Sequence, residues 1–341
     1  MTIELPVLRL GAAGFSAPQR QELREALPRI APGALVWELE DLAAADAWWI
    51  NGVRAELRQD TLLQVPAADA AETTLQLQLP DIDRPFAFAL PLGCPDLTPM
   101  YTFDSASPAS MTAVLEKFEL GLAPVLAQFC LASHIVEHEA ALGGGIFDVR
   151  LDGRLLAVVN LRGEVGVLAG VGLADFENAE WSRRSSPRIP EDMAPTSMSQ
   201  LMWHYSLRTQ RAILPRHYRT GPLYFRRPPR LPSRLLTDSH LLLMRELAGA
   251  PATFEALQQR CGLPPDQLAR DLAALYFVGA ITSNPKRATP AQASRRRSDA
   301  DSASAPNSGL PSGVDSVLPA DPPRGSASAS DLTAPAPMGP Q

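Results

Sequence analysis

The sequence predicts a multidomain protein of the α+β or α/β class. Short apolar strands alternate with a helical pattern in the N-terminal part, a long helical pattern then precedes three strands, and short amphipathic segments follow. The predicted divisions are an α/β domain at 1–105, a helix plus three-stranded antiparallel meander at 106–214, an Arg/Pro-rich connector at 215–234, a helical module at 235–284 and a disordered tail at 285–341.

The N-terminal part begins with a strand at residues 7–10, a turn at Gly11-Ala12-Ala13-Gly14 and a helix at 17–29 that Ser16 can cap. Further strands are expected at 35–39, 47–50, 62–65, 74–79 and 86–90. The order of strand, glycine-containing turn, helix and strand is similar to the start of a receiver (response-regulator) domain.

The residues at the matching positions lack the chemistry of a working receiver domain. Gly11-Ala12-Ala13 stands where acidic residues follow the first strand, and Asn51 stands where the phosphoacceptor aspartate ends the third. Without these carboxylates there is no Mg²⁺ site. The resemblance therefore implies a degenerate domain that kept the scaffold and lost phosphoryl transfer, and an unrelated α/β fold is the alternative.

The central region has its longest helical pattern at residues 110–142, where Pro124 is expected to kink or split the helix. Strands at 147–151, 155–161 and 165–168 follow, then a short helix at 175–181, a loop at 183–195 and a second helix at 197–214. The step Asp152-Gly153 between the first two strands is a strong signal for a hairpin turn, which predicts an antiparallel meander.

His134, Glu137 and His138 form the sequence H-x-x-E-H on the first of these helices. Histidines at i and i+4 share a helix face and can hold zinc, with Glu137 placed to act on a bound water. The match resembles the inverted zinc-peptidase signature. That family also needs an acidic ligand from a downstream helix, and residues 193–237 contain no Asp or Glu. The alternative is a solvated polar face, and we expect neither a metal nor another cofactor.

An arginine-rich segment without a single acidic residue is the most informative charge pattern. Its members are Arg208, Arg211, Arg216, Arg219, Arg226, Arg227, Arg230 and Arg234. Guanidinium groups bind phosphate and carboxylate in a forked geometry, which predicts a site for an anion or an acidic partner. The alternative is internal, because residues 1–180 carry 11 basic and 25 acidic groups, whereas residues 181–285 carry 14 and 7.

The helical module contains three amphipathic segments, at 239–248, 253–261 and 265–278, and a short β-rich run at 279–282. Asp238 or Ser239, Thr253 and Pro264-Pro265 are start signals, and Gly249 and Gly262 are stop signals that tolerate a left-handed cap. This order is similar to the winged helix-turn-helix superfamily, which implies either DNA binding or protein interaction.

The third helix of this module would be the one that reads DNA. It offers Gln267 and Arg270 to bases, but Asp266 and Asp271 lie beside them, so we favour protein interaction over base reading. The basic residues Lys286 and Arg287, just beyond the module, are candidates for phosphate contacts.

Several classes of protein are excluded by composition. Cys94, Cys130 and Cys261 form no disulfide or zinc-binding pattern, and no apolar run approaches the ~20 residues of a membrane helix. We therefore expect a non-catalytic, cytoplasmic regulatory or adaptor protein of a signalling pathway, with a protein partner or a small anionic effector and no membrane partner. A winged-helix transcriptional regulator that binds nucleic acid is the alternative, and a zinc metallopeptidase is the second. The oligomeric state does not follow from the sequence.

Overall fold

The computed structural model describes residues 4–30, 35–58, 61–66, 74–94 and 98–289, and it is a mixed α+β structure. The chain divides into two compact units, Met1–Ala212 and Ile213–Gln341, called here the N-terminal and the C-terminal unit. The boundary expected at residue 105 lies inside the first unit, and the segment expected as a connector belongs to the second. Within the described residues no single helix is long and apolar enough to cross a membrane, although one bent helix pair passes the same test when the two are taken together.

The helices are α1 (Ala17–Ile30), α2 (Pro108–Gly121), α3 (Ala123–Leu142), α4 (Leu173–Glu177), α5 (Met198–Arg208), α6 (Arg216–Thr220), α7 (Asp238–Gly249), α8 (Phe254–Cys261) and α9 (Pro265–Phe277). The strands are β1 (Val7–Ala13), β2 (Val36–Glu40), β3 (Ala47–Asn51), β4 (Glu56–Arg58), β5 (Leu62–Pro66), β6 (Thr74–Gln78), β7 (Phe86–Ala89), β8 (Thr102–Phe103), β9 (Ile146–Leu151), β10 (Arg154–Asn160), β11 (Glu164–Leu168), β12 (Glu180–Arg183), β13 (Met193–Ser197), β14 (Tyr224–Phe225) and β15 (Ile281–Thr282).

The first sheet is parallel and has the order β2-β1-β3-β7-β8. This 2-1-3-4-5 order is the flavodoxin-like order of doubly wound sheets. Its strands alternate between two cores, because successive side chains of a strand point to opposite faces. Trp49 packs with α1 and α2 on one face, and Ile50 packs with Leu63 and Val65 of β5 on the other. A three-stranded antiparallel sheet, β4-β5-β6, therefore covers the face where a second layer of helices is usual.

The long helical pattern at residues 110–142 is divided into α2 and α3, which are bent by 68°. The break is at Leu122, and Pro124 lies in the first turn of α3, where its missing N–H costs no helical hydrogen bond. The split expected at this proline is therefore confirmed.

The second sheet of the N-terminal unit is antiparallel and has the order β12-β9-β10-β11-β13. The predicted meander β9-β10-β11 is confirmed, and its first turn has positive φ at both Asp152 (49°) and Gly153 (80°), as a type I′ hairpin requires. Helices α3 and α5 pack together and against β11. The sequence did not predict the outer strands.

Three expectations in this region were wrong. The helix expected at 175–181 ends at Glu177, and Glu180–Arg183 is instead a strand paired with β9. The loop expected at 183–195 runs into edge strand β13, where Pro195 is tolerated because one side of an edge strand needs no donor. The helix expected at 197–214 ends at Arg208, because the hydroxyl of Thr209 is hydrogen-bonded to Glu4 and to the N–H of Arg211.

The C-terminal unit contains α7, α8 and α9 close to their expected positions, followed by β15. Thr253 caps α8, and Gly262 ends it with a φ of 66°, as expected. Helix α7 differs, because Thr237 rather than Asp238 or Ser239 is its N-cap and Gly249 remains helical. Strand β15 pairs with β14, which lies in the segment expected as a connector. That segment is therefore part of the small sheet of this unit.

Candidate functional site

The eight arginines of the predicted site come from both units and lie in different surroundings. Arg208 is 8% exposed, and its guanidinium donates to Asp46. The Nε of Arg211 lies 3.2 Å from Oε2 of Glu4, and its Nη2 lies 2.6 Å from Oε1 of Glu137. These two arginines are therefore paired with carboxylates of their own unit, as the internal alternative expected.

The next arginines are in the C-terminal unit and serve different purposes. Arg216 and Arg219 are both exposed, and Arg219 lies over the ring of Phe254 with its Cζ 5.8 Å from the ring centroid. The side chain of Arg234 lies outside the described part of the structure.

The guanidinium groups of Arg226 and Arg227 lie beside Gly279, and Arg230 acts on the charge of Arg227. We call Arg226, Arg227, Arg230, Lys286 and Arg287 the basic cluster. Nη1 of Arg226 and Nη2 of Arg227 lie 3.5 and 3.4 Å from the point that a Cβ on Gly279 would occupy, so the two nitrogens are within about 7 Å of each other.

The backbone fixes this arrangement. The N–H of Arg226 donates to the carbonyl of Ala280 at 2.8 Å, and the hydroxyl of Thr289 donates to the carbonyl of Arg226 at 2.9 Å. The turn at residues 285–287 is therefore held beside β14, which brings Lys286 and Arg287 to the same end of the unit. Residues 285–287, which were expected in the disordered tail, form a short helical turn, and the part of the expected tail beyond residue 289 lies outside the described residues.

The electrostatics of the basic cluster are unbalanced. Burial, Arg226 and Arg230 together lower the pKa of the Arg227 guanidinium, so its neighbours oppose its charge. In the described ranges, no carboxylate is within 4.0 Å of a cationic nitrogen of the cluster. Residues 213–289 contain eleven basic and five acidic side chains, so the surplus extends over the unit.

Helix α9, the expected reading helix, is largely a core element. Nine of its side chains are buried, and one of them is Asp271, whose carboxylate lies 3.5 Å from His240. Gln267 and Arg270 are half-buried, and Asp266 is the exposed polar residue beside them. Such a helix offers few groups to base edges.

His134, Glu137 and His138 come together at the C-terminal half of α3. A ring nitrogen of each histidine and a carboxylate oxygen of Glu137 all lie within 4.8 Å of one another. The solvated polar face expected as the alternative is wrong for His134, which is 7% exposed and whose ring stacks on Trp181 with centroids 5.5 Å apart, whereas Glu137 is exposed and His138 is half-buried. Burial, with a contribution from His138, lowers the pKa of His134 to about 4.

The carboxyl edge of the parallel sheet carries the positions that the receiver resemblance singled out. Asn51 accepts a hydrogen bond from the N–H of Val53, and Arg54 donates to the carbonyl of Gly14 at 3.2 Å. An open cavity of about 640 Å³ lies beside β1 and β2, but its rim mixes Arg20 and Arg24 with Glu40 and Asp41. This edge has no preference for one sign of charge.

The carboxylate of Asp148, on strand β9, lies between two guanidinium groups. Burial would raise the pKa of Asp148, but hydrogen bonds from Arg184 at 2.8 Å and Arg150 at 3.1 Å outweigh it and lower that pKa. The guanidinium of Arg184 therefore makes a structural contact.

Sequence reasoning missed several residues on which these sites depend. Glu4 pairs with Arg211, 207 positions away, and Asp46 pairs with Arg208, 162 positions away, and no local pattern signals such contacts. Trp181 was assigned to a helix, although a large aromatic next to Glu180 in a short polar segment is also typical of an edge strand. Gly279 could have been found from its place after the last apolar residue of α9.

No protein-family model, no curated protein and no solved structure matches this chain.

Proposed function

We propose that the protein is a non-catalytic regulatory or adaptor protein whose C-terminal unit binds an acidic partner through the basic cluster. The observation that carries the proposal is the pair Arg226 and Arg227, whose guanidinium groups share the space above Gly279 with no carboxylate at ion-pair distance in the described residues.

Holding these charges together has a cost that an anion would remove. Two unit charges about 7 Å apart repel by on the order of 2 kcal/mol at an effective dielectric constant near 20. The backbone bonds of Arg226 to Ala280 and Thr289 fix the main chain from which the two side chains extend. A carboxylate bound between the two guanidinium groups would offset this repulsion. It would accept a charge-assisted hydrogen bond from each of them.

The extended form of the cluster favours a protein segment as the partner. Its charges come from the segment at 226–230, which follows β14, and from the turn at 285–287, which suits a peptide with several carboxylates better than one small ion. Helix α9 presents little to a DNA groove, which weighs against base reading. The 2-1-3-4-5 order of the parallel sheet, with Asn51 at the phosphoacceptor position, supports a degenerate receiver-like N-terminal part.

The test is binding of a fluorescein-labelled glutamate-rich peptide, measured by anisotropy at low and at near-physiological salt. We expect the double variant Arg226→Ala/Arg227→Ala to weaken binding at least about tenfold, because it removes both guanidinium groups that would bind carboxylates. The matched control is Arg245→Ala/Arg260→Ala, which removes the same charge from exposed sites on α7 and α8. If the two double variants lose the same affinity for the peptide, net charge alone explains the binding and the proposal is contradicted.

The alternative is a winged-helix regulator in which the same residues hold DNA phosphates, favoured by the exposed Lys286 and Arg287. Binding to random duplex DNA would then be tighter than binding to the acidic peptide, and its affinity would fall steeply with salt. An absence of duplex binding at low salt would remove this alternative.

A further inference from the structure

The geometry points to a site for a divalent transition-metal ion, Zn²⁺, formed by His134, His138 and Glu137 and bordered by Trp181. This site is in the N-terminal unit, so it is independent of the proposed anion binding. It would be a regulatory or stabilising site, and no hydrolytic activity is inferred from it.

The histidines offer lone pairs that nothing else uses. Nε2 of His134 is fully buried and has no hydrogen-bond partner among the described residues, although such a nitrogen is normally satisfied. Nδ1 of His138 lies 2.9 Å from the backbone carbonyl of His134, which makes this nitrogen the donor and leaves Nε2 of His138 as an acceptor. A ring nitrogen bonded to a backbone carbonyl is the usual support of a metal-binding histidine.

The spacing of the three groups is close to what zinc requires. Zinc–nitrogen bonds of about 2.0–2.1 Å place neighbouring ligand atoms of a tetrahedral site roughly 3.4 Å apart. The ligand atoms here are all within 4.8 Å, so rotations of exposed Glu137 and half-buried His138 can close the site around an ion. Two imidazoles and one carboxylate suit Zn²⁺ better than Ca²⁺ or Mg²⁺, which prefer sets made only of oxygen ligands.

Two neighbours shape the site. Arg211 holds Oε1 of Glu137 at 2.6 Å, which orients the carboxylate and leaves Oε2 for the ion. Trp181 stacks on His134 at 5.5 Å and lies 6.1 Å from His138, so it covers one side of both rings. Because Glu137 belongs to the ligand set, it is not free to act as the general base that a peptidase would need.

In the experiment, full-length protein is first freed of metal with a chelator and is then titrated with Zn²⁺. Isothermal titration calorimetry measures the heat of binding. We expect one ion per chain, and a Co²⁺-loaded sample with the absorption bands of a four-coordinate site. His138→Ala should weaken zinc binding at least about thirtyfold and Glu137→Gln about tenfold, because each removes one ligand. Quenching of tryptophan fluorescence by Cu²⁺ should be much smaller in Trp181→Phe.

Controls separate a built site from general histidine binding. His217→Ala removes an exposed histidine of the C-terminal unit and should leave the titration unchanged. His134→Phe keeps an aromatic ring against Trp181 and Phe176, so it should fold and yet lose zinc binding. Zinc binding that persists in both His134→Phe and His138→Ala, or no binding to the unsubstituted protein, would overturn the proposal.

Discussion

The Nε of Arg211 lies 3.2 Å from Oε2 of Glu4, and the side chain of this glutamate is only 4% exposed. The same carboxylate accepts hydrogen bonds from Ser133 at 3.1 Å and from Tyr205 at 2.9 Å. A buried carboxylate is tolerated only when it is paired and hydrogen-bonded in this way. Glu4 thus joins the start of the described chain to α3 and to the segment after α5, and this explains why the N-terminal unit is continuous across the expected boundary at residue 105.

Arg211→Ala should destabilise the protein, because it leaves the charge of Glu4 buried without its counter-ion. Breaking a fully buried ion pair by removing one partner costs about 3–5 kcal/mol, and because the side chain of Arg211 is 34% exposed we expect a smaller loss, of about 1–3 kcal/mol. Urea unfolding followed by circular dichroism measures the change. The control is Arg188→Ala, whose pair with Glu191 is exposed on both sides and should cost less than about 1 kcal/mol. Equal effects of the two substitutions would contradict the role assigned to Glu4.

Acidification should reduce stability through His204. Burial, reinforced by Arg208 and opposed by Asp46, lowers the pKa of His204 to about 4 in the folded state, from 6.5 when exposed. Between these values the unfolded state binds the proton more readily. The free energy of unfolding therefore falls as pH falls through this window, by at most about 3 kcal/mol for this group, and the loss is complete below pH 4.

Urea unfolding at several pH values, compared between the unsubstituted protein and His204→Gln, isolates this contribution. The variant should lose less stability across the window, and a residual slope should remain because His134 titrates in the same range. Parallel pH profiles for the two proteins would show that His204 does not carry the effect.

Two glycines of the C-terminal unit should respond in opposite ways to alanine. Gly279 has a φ of 67°, so Gly279→Ala forces a side chain into the left-handed region and should cost about 1 kcal/mol or more. Gly249 is helical and has no atom within 4 Å of an added Cβ, so Gly249→Ala should stabilise the protein by about 0.5–1 kcal/mol. Thermal unfolding measures the change in stability of each variant. Changes of the same sign in the two variants would contradict this prediction.

The three cysteines should differ in their reactivity toward iodoacetamide. Burial raises the pKa of the Cys130 thiol to about 12, and this side chain is 3% exposed, so it should stay unmodified in the native protein at about pH 8. Cys94 and Cys261 are partly exposed and should be alkylated. Mass spectrometry of the native and the urea-unfolded protein makes the comparison, and rapid native labelling of Cys130 would contradict the packing around α3.

Local features were accessible from the sequence because neighbouring residues alone determine them. The turn at Asp152-Gly153, the cap at Thr253 and the break near Pro124 each depend on the conformational limits of one or two residues. Edge strands such as β13 could not be found in this way, because Met193–Ser197 has little strand preference and is extended only where β11 supplies hydrogen bonds.

The sequence by itself determined the meander of β9, β10 and β11, the helices α7, α8 and α9, the surplus of arginine ahead of them, and the H-x-x-E-H pattern on one helix face. Only the tertiary structure decided what these charges do. It buried Arg208 against Asp46, it paired the half-buried Arg211 with Glu4, and it left Arg226 and Arg227 together above Gly279. The reason is physical: the energy of a charged group depends on its distance to other charges and on its burial, and chain folding sets both across separations that no local pattern encodes.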